Sequence, residues 1–233
     1  MKAVLVVATS AVALSTLEAQ VGHDPASSPY RDLRFGQFVT LSAGPVFGNG
    51  GRIGVGPHQG TMVILRHDFL ADRPVTIALG AGWARLDRFV ANLAVVPREL
   101  EGPVNHDVWF GEGTAQLNLT GGKTWHNLAP YLSLGIGLAI AERIPADSSP
   151  YRFGTKFYLA PAAGARIFLT RRLYLKVEAR TTFWNLSYPP TFRDDPDGAF
   201  GPAEPLLSGE LKEWSPTPVL HAGLGFAFRR PFF

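Results

Sequence analysis

The stretch Leu173-Tyr-Leu-Lys-Val-Glu-Ala-Arg-Thr-Thr-Phe-Trp184 constrains the fold more than any other part of the chain. Its odd positions, Leu173, Leu175, Val177, Ala179, Thr181 and Phe183, are apolar or neutral, whereas the even positions up to Arg180 are Tyr174, Lys176, Glu178 and Arg180. Side chains of a strand point alternately to its two faces, so this pattern describes a strand with one greasy and one charged face. Residues 128–141 repeat it more cleanly, with Leu132, Leu134, Ile136, Leu138 and Ile140 on one face and Tyr131, Ser133, Gly135, Gly137 and Ala139 on the other. Eight strands are expected, at 35–48, 58–69, 74–86, 107–119, 128–141, 155–169, 173–184 and 216–228. The second alternates least clearly, because Met62 and Ile64 sit between Val63 and Leu65.

The links between these strands alternate in length. Those at 70–73, 120–127 and 170–172 are short, and those at 49–57, 87–106, 142–154 and 185–215 are long. An even strand number with short turns at one end and long loops at the other is the layout of a membrane barrel with both termini on one side. The chain opens with Lys2 and an apolar run from Ala3 to Leu14, too short for a membrane helix of roughly 20 residues. Residues 1–19 therefore read as a secretory signal peptide, 20–34 as a flexible periplasmic leader, 35–228 as the barrel and 229–233 as a short C-terminal tail. There is no cysteine, which closes the route to a cysteine-linked lipid anchor and to disulfides. A scattered formal charge of +3 gives no basic surface for nucleic acid.

Alternation alone does not say which face is inward, since a soluble ligand-binding barrel would turn its apolar face in. Three features place the apolar face outside. The opposite face is largely Gly, Ala, Ser and Thr, which suits a narrow lumen and carries few of the charges a solvated exterior would have. Aromatic residues on the apolar face lie near strand ends, at Phe35, Phe47, Phe69, Trp83, Trp109, Phe157, Phe183, Phe226 and Phe228, where they would form girdles at the two membrane surfaces. The charges at 176–180 also need an interior, because Lys or Arg facing mid-bilayer lipid costs about 2–4 kcal/mol. The fold class expected is all-β, an eight-stranded antiparallel up-and-down transmembrane barrel with an apolar exterior and a polar interior.

The segment Gly164–Arg180 and the last strand, Gly223-Leu-Gly-Phe-Ala-Phe228, resemble the small eight-stranded outer-membrane barrels of the OmpA/OmpX-like class of Gram-negative bacteria. The resemblance implies a bacterial outer-membrane location with both termini periplasmic, outer-membrane lipids as surroundings, and the barrel-assembly machinery as partner during biogenesis. Gly223, Phe226 and Phe228 are similar to the signal that machinery reads, although here Arg229-Arg-Pro-Phe-Phe233 follows it. The class includes anchors, adhesins, pores and lipid-modifying enzymes, so the resemblance implies a fold and an export route rather than an activity.

Parity brings Arg66, Glu112, Lys156, Arg166, Lys176, Glu178 and Arg180 to the luminal face. Buried charges must be paired, so these residues are expected to fill the interior as a polar plug, with a narrow anion-preferring pore as the alternative. None of the histidines, His23, His58, His67, His106, His126 and His221, sits in a serine–histidine motif of a barrel lipase, so no catalytic residue is assigned; a surface lipid-modifying enzyme stays as a second alternative. Arg193-Asp-Asp-Pro-Asp-Gly198 lacks the spacing of a dedicated calcium loop, so no metal and no cofactor are assigned. Phe89, Val90, Leu93, Val95 and Val96 read either as an exposed apolar patch on a loop or as a strand continuing above the membrane. The function expected is a non-enzymatic structural or surface-interaction role of a monomeric barrel, exerted through its extracellular loops.

Overall fold

The computed structural model describes residues 28–33, 36–72, 74–93, 99–145, 147, 149–193 and 205–228. Ten strands follow in order: β1 (Tyr30–Asp32), β2 (Gln37–Phe47), β3 (Gln59–Asp72), β4 (Val75–Asn92), β5 (Glu99–Asn118), β6 (Lys123–Trp125), β7 (Leu128–Ala141), β8 (Thr155–Phe168), β9 (Leu173–Ser187) and β10 (Lys212–Phe228). Eight of them, all but β1 and β6, form a closed antiparallel barrel. Its seam is the pairing of β10 with β2, which runs from Val219↔Val46 to Phe228↔Gln37. Closure leaves no free edge through the apolar zone, so the backbone hydrogen bonds are made within the wall.

The alternation becomes a lipid-facing wall. Along β7, Leu132, Leu134, Ile136, Leu138 and Ile140 are each about half exposed, while Gly135 and Ala139 between them are buried. These five outward residues span nine positions, close to the roughly 9–11 that a tilted strand needs to cross a bilayer. The upper limit of the apolar zone is visible in the register of β4 and β5. Trp83 pairs with Trp109, and two positions on, Arg85 pairs with Asp107 in an exposed ion bridge of 3.1 Å. Phe47, Trp83, Trp109, Phe157 and Phe183 lie at the loop end, whereas Phe69, Phe226 and Phe228 lie at the end bearing the termini. Phe35 is outside the described residues, as are 1–27 and 229–233.

Small residues let large ones lie flat inside. Four inward aromatics each face a glycine on the adjacent strand: Tyr174 opposite Gly225, Tyr131 opposite Gly164, Tyr158 opposite Gly137 and Phe110 opposite Gly82. A Cβ at Gly225 would fall 2.2 Å from the Tyr174 ring, so the ring occupies the space a side chain would need.

Two regions differ from the sequence reading. Within the leader, Tyr30–Asp32 forms β1 and pairs with β6, because the turn between β5 and β7 is long enough to offer a strand edge. Secondly, β4 continues to Asn92 and β5 begins at Glu99, so much of the 87–106 link is a hairpin rising above the apolar zone. Of the two readings of Phe89, Val90 and Leu93, the continuing strand holds for Phe89 and Val90; Val90 and Leu93 are buried, and Val95 and Val96 lie outside the described residues. The remaining strands fall within a few residues of their expected bounds, and β7 matches at both ends.

Candidate functional site in the barrel interior

Alternation delivers charges from four strands to one level of the lumen. β3 contributes Arg66 and Asp68, β5 Glu112, β8 Arg166, and β9 Lys176, Glu178 and Arg180; none is more than 6 % exposed. Arg66 is the hub. Its two terminal nitrogens donate to Glu178 Oε2 at 2.7 Å and to Glu112 Oε1 at 2.6 Å. Arg180 grips Glu112 with both terminal nitrogens, at 3.1 and 2.5 Å, and lies 4.0 Å from Glu178. The hydroxyls of Tyr131 and Tyr158 donate to Glu178 and Glu112 at 2.7 and 3.0 Å.

A second set lies towards the termini. Arg166 donates to Asp68 Oδ2 at 2.7 Å, to Gln116 Oε1 at 2.8 Å and to Asn118 Oδ1 at 3.2 Å, with its guanidinium between the rings of Phe38 and Tyr131. Lys176 links the two sets, 3.9 Å from Asp68 and 3.7 Å from Glu178. Four cations thus share three carboxylates, and each cation reaches at least one of them. Charges this deep are tolerable only when so paired.

Six of the seven luminal residues picked by parity meet here. Lys156 does not: it is half-buried near the loop end of β8, because parity fixes the face of a strand and says nothing about depth. Asp68 completes the network and was not among the sequence-based candidates. Its signal was its even parity with Arg66 on β3, hidden by the blurred alternation of that strand.

Towards the loops the lumen turns apolar. Trp184, Phe110, Phe153, Leu86, Leu186 and Val108 pack into one buried cluster, joined from the loops by Ile53, Val55, Tyr151, Phe192 and Leu207. Trp184 touches both layers: its indole donates to Thr217 at 2.9 Å and its ring lies 5.2 Å from that of Tyr158, whose hydroxyl ends on Glu112. Above it the loops are tied together. Arg88, on the extended hairpin, bonds Asp147 and the Val55 carbonyl and lies 5.2 Å over the Tyr151 ring. Burial pushes the Tyr151 phenol well above its ordinary range. The Arg52 backbone amide donates to Glu213 at 2.8 Å, and its guanidinium donates to the same carboxylate at 3.1 Å and to the Glu210 carbonyl at 2.6 Å.

The histidines are scattered. His67 faces outward, 4.0 Å from the Phe69 ring and 6.0 Å from Phe228, and His221 faces the lumen with Nε2 3.1 Å from Met62 Sδ. Among the described residues no cluster of three or more His, Asp or Glu has the arrangement of a metal site.

No protein-family model matches the chain, and no curated protein matches it in sequence. Its fold is similar to that of Neisserial surface protein A, NspA, at 14 % identity, covering 82 % of this chain and 97 % of that one with a TM-score of 0.50. Two proteins of Pseudomonas aeruginosa align over similar spans: the outer-membrane protein OprG at 15 % identity and TM-score 0.48, covering 84 % and 98 %, and the N-terminal barrel of OprF at 14 % and 0.45, covering 82 % and 97 %. The fold is that of the small eight-stranded outer-membrane barrels.

Proposed function

We propose that this protein is a non-enzymatic resident of a bacterial outer membrane, with both termini periplasmic, acting as envelope structure or surface contact through its tied outer loops. The observation that carries this reading is a lumen closed twice, by an ion network in the membrane and by an apolar plug beneath the loops. A bore filled in this way leaves the outer surface as the working part. Anion passage would require free cationic charge along the bore, whereas here Arg66, Arg166, Lys176 and Arg180 are held by carboxylates. His67 lies against phenylalanine rings and His221 beside a thioether, surroundings that support a non-enzymatic role. Gly223, Phe226 and Phe228 stand in the last strand, where the barrel-assembly machinery would read them, and the barrel is proposed to work as a monomer.

Surface labelling tests the placement. An epitope within 194–204 should be reached by antibody on intact cells, and a tag after Phe233 only after the envelope is opened. The reverse pattern would overturn the orientation, and recovery of both tags in the soluble fraction would overturn the location.

A further inference from the structure

The end of the barrel that bears the termini carries a second constellation, beyond the charged layer and bordered by Phe168, which packs on the inward Phe38 and Tyr174. β1 lies against β6, with Tyr30↔Trp125 and Asp32↔Lys123 in register, and the Leu33 amide donates to the Gly122 carbonyl at 2.8 Å. This ribbon and the β8–β9 turn enclose a pocket of about 640 Å³. Leu33, Phe168 and Leu169 give it apolar walls, and Arg31, Arg171 and Arg172 line it together with Asp32, the one acidic residue among its described lining. All three arginines are exposed to the surroundings. On the opposite face of the same ribbon Tyr30 and Trp125 are exposed, and amphipathic rings of that kind mark the level of lipid headgroups.

We infer that this pocket seats an anionic phospholipid of the leaflet on the terminus side, its phosphate held by Arg31 and Arg171 and the start of its chains against Leu33 and Leu169. The chemistry is complementary at both ends. Guanidinium groups form forked, charge-assisted bonds to phosphate oxygens, and cationic pockets at membrane surfaces draw anionic lipid. A free phosphate would use only the arginines, whereas the apolar walls add burial that only a lipid can supply. Pairing of β1 with β6 completes the site, because Arg31, Asp32 and Leu33 line it. The inference rests on the membrane reading, and its test separates the two.

The full chain, folded in detergent, is mixed with equal phosphatidylglycerol and phosphatidylcholine of matched chains, and retained lipid is counted by native mass spectrometry. Phosphatidylglycerol should be retained in preference, and the preference should fall with ionic strength. Neutralising one arginine, Arg31→Ala or Arg171→Ala, should lower retention about fivefold. The double reversal Arg31→Glu/Arg171→Glu should abolish the preference, while Arg152→Glu/Lys212→Glu at the opposite end leaves it intact. Millimolar glycerol phosphate should fail to displace the lipid. Equal retention of the two lipids by the wild-type protein, a preference that survives the double reversal, or displacement by glycerol phosphate would each overturn the site while the barrel stands. A chain that stays folded and soluble without detergent would overturn the site and the membrane reading together.

Discussion

The two halves of the lumen solve the same packing problem with opposite chemistry. On the terminus side, charged residues fill the bore and each is held by a partner on another strand. On the loop side, the bore is filled by Trp184, Phe110, Phe153 and Leu186, with side chains from the loops completing the cluster. The charged half depends on strand register, since its shortest ion pairs cross between strands. The apolar half depends on loops folding inward, and tolerates irregular backbone because dispersion and burial have no direction. The closed wall alone supplies the charges of the first half, whereas the second is complete only when ordered loops join the strand residues. The halves should therefore respond differently to damage.

The largest effect is expected from Glu112→Ala, which strips Arg66 and Arg180 of a shared carboxylate. Leaving two buried guanidinium groups short of a partner should cost about 3–5 kcal/mol, read as a lower urea midpoint in the mobility of unboiled protein. Leu186→Ala on the loop side should cost about 2–5 kcal/mol by leaving a cavity, and it should raise protease nicking of the outer loops without altering the ion layer. If the two variants gave the same nicking pattern, the division into halves would be wrong. Gly225→Ala should cost about 1–3 kcal/mol through collision with Tyr174, and should add nothing further once Tyr174→Ala is present. Independent, additive costs would show that the ring and the glycine do not share space. Smallest is Arg52→Ala, whose partly exposed bridge to Glu213 is worth about 1 kcal/mol or less, and whose loss should speed cleavage of the loops alone.

The same contrast explains how much could be read from the sequence. Where one face is lipid and the other charged, as in β9, alternation is unmistakable and places Lys176, Glu178 and Arg180 correctly on one side. On β3 the pattern blurs at Met62 and Ile64 because both are apolar yet buried on the inward face, Met62 in the apolar cluster. Apolar residues then occupy both faces and the period of two disappears, which also hid Asp68. Lys156 has the right parity at the wrong depth. Ile53, Val55, Tyr151, Phe192 and Leu207 belong to irregular segments, whose inward turn leaves no periodic trace. The hairpin beyond Arg85 was ambiguous for a related reason: above the membrane neither face must be greasy, so the rule that identifies the strands no longer applies. Membrane strands announce themselves through the solvent on each side, and loop plugs do not.

The central claim is that the lumen is closed, and conductance tests it most directly. Refolded protein inserted into planar bilayers should give no discrete current steps at any moderate voltage, and Leu186→Ala should stay equally silent because the ion layer is intact beneath it. Stable steps from the wild-type protein with anion selectivity, altered by Glu178→Ala, would contradict the account and make the charged layer a conduit.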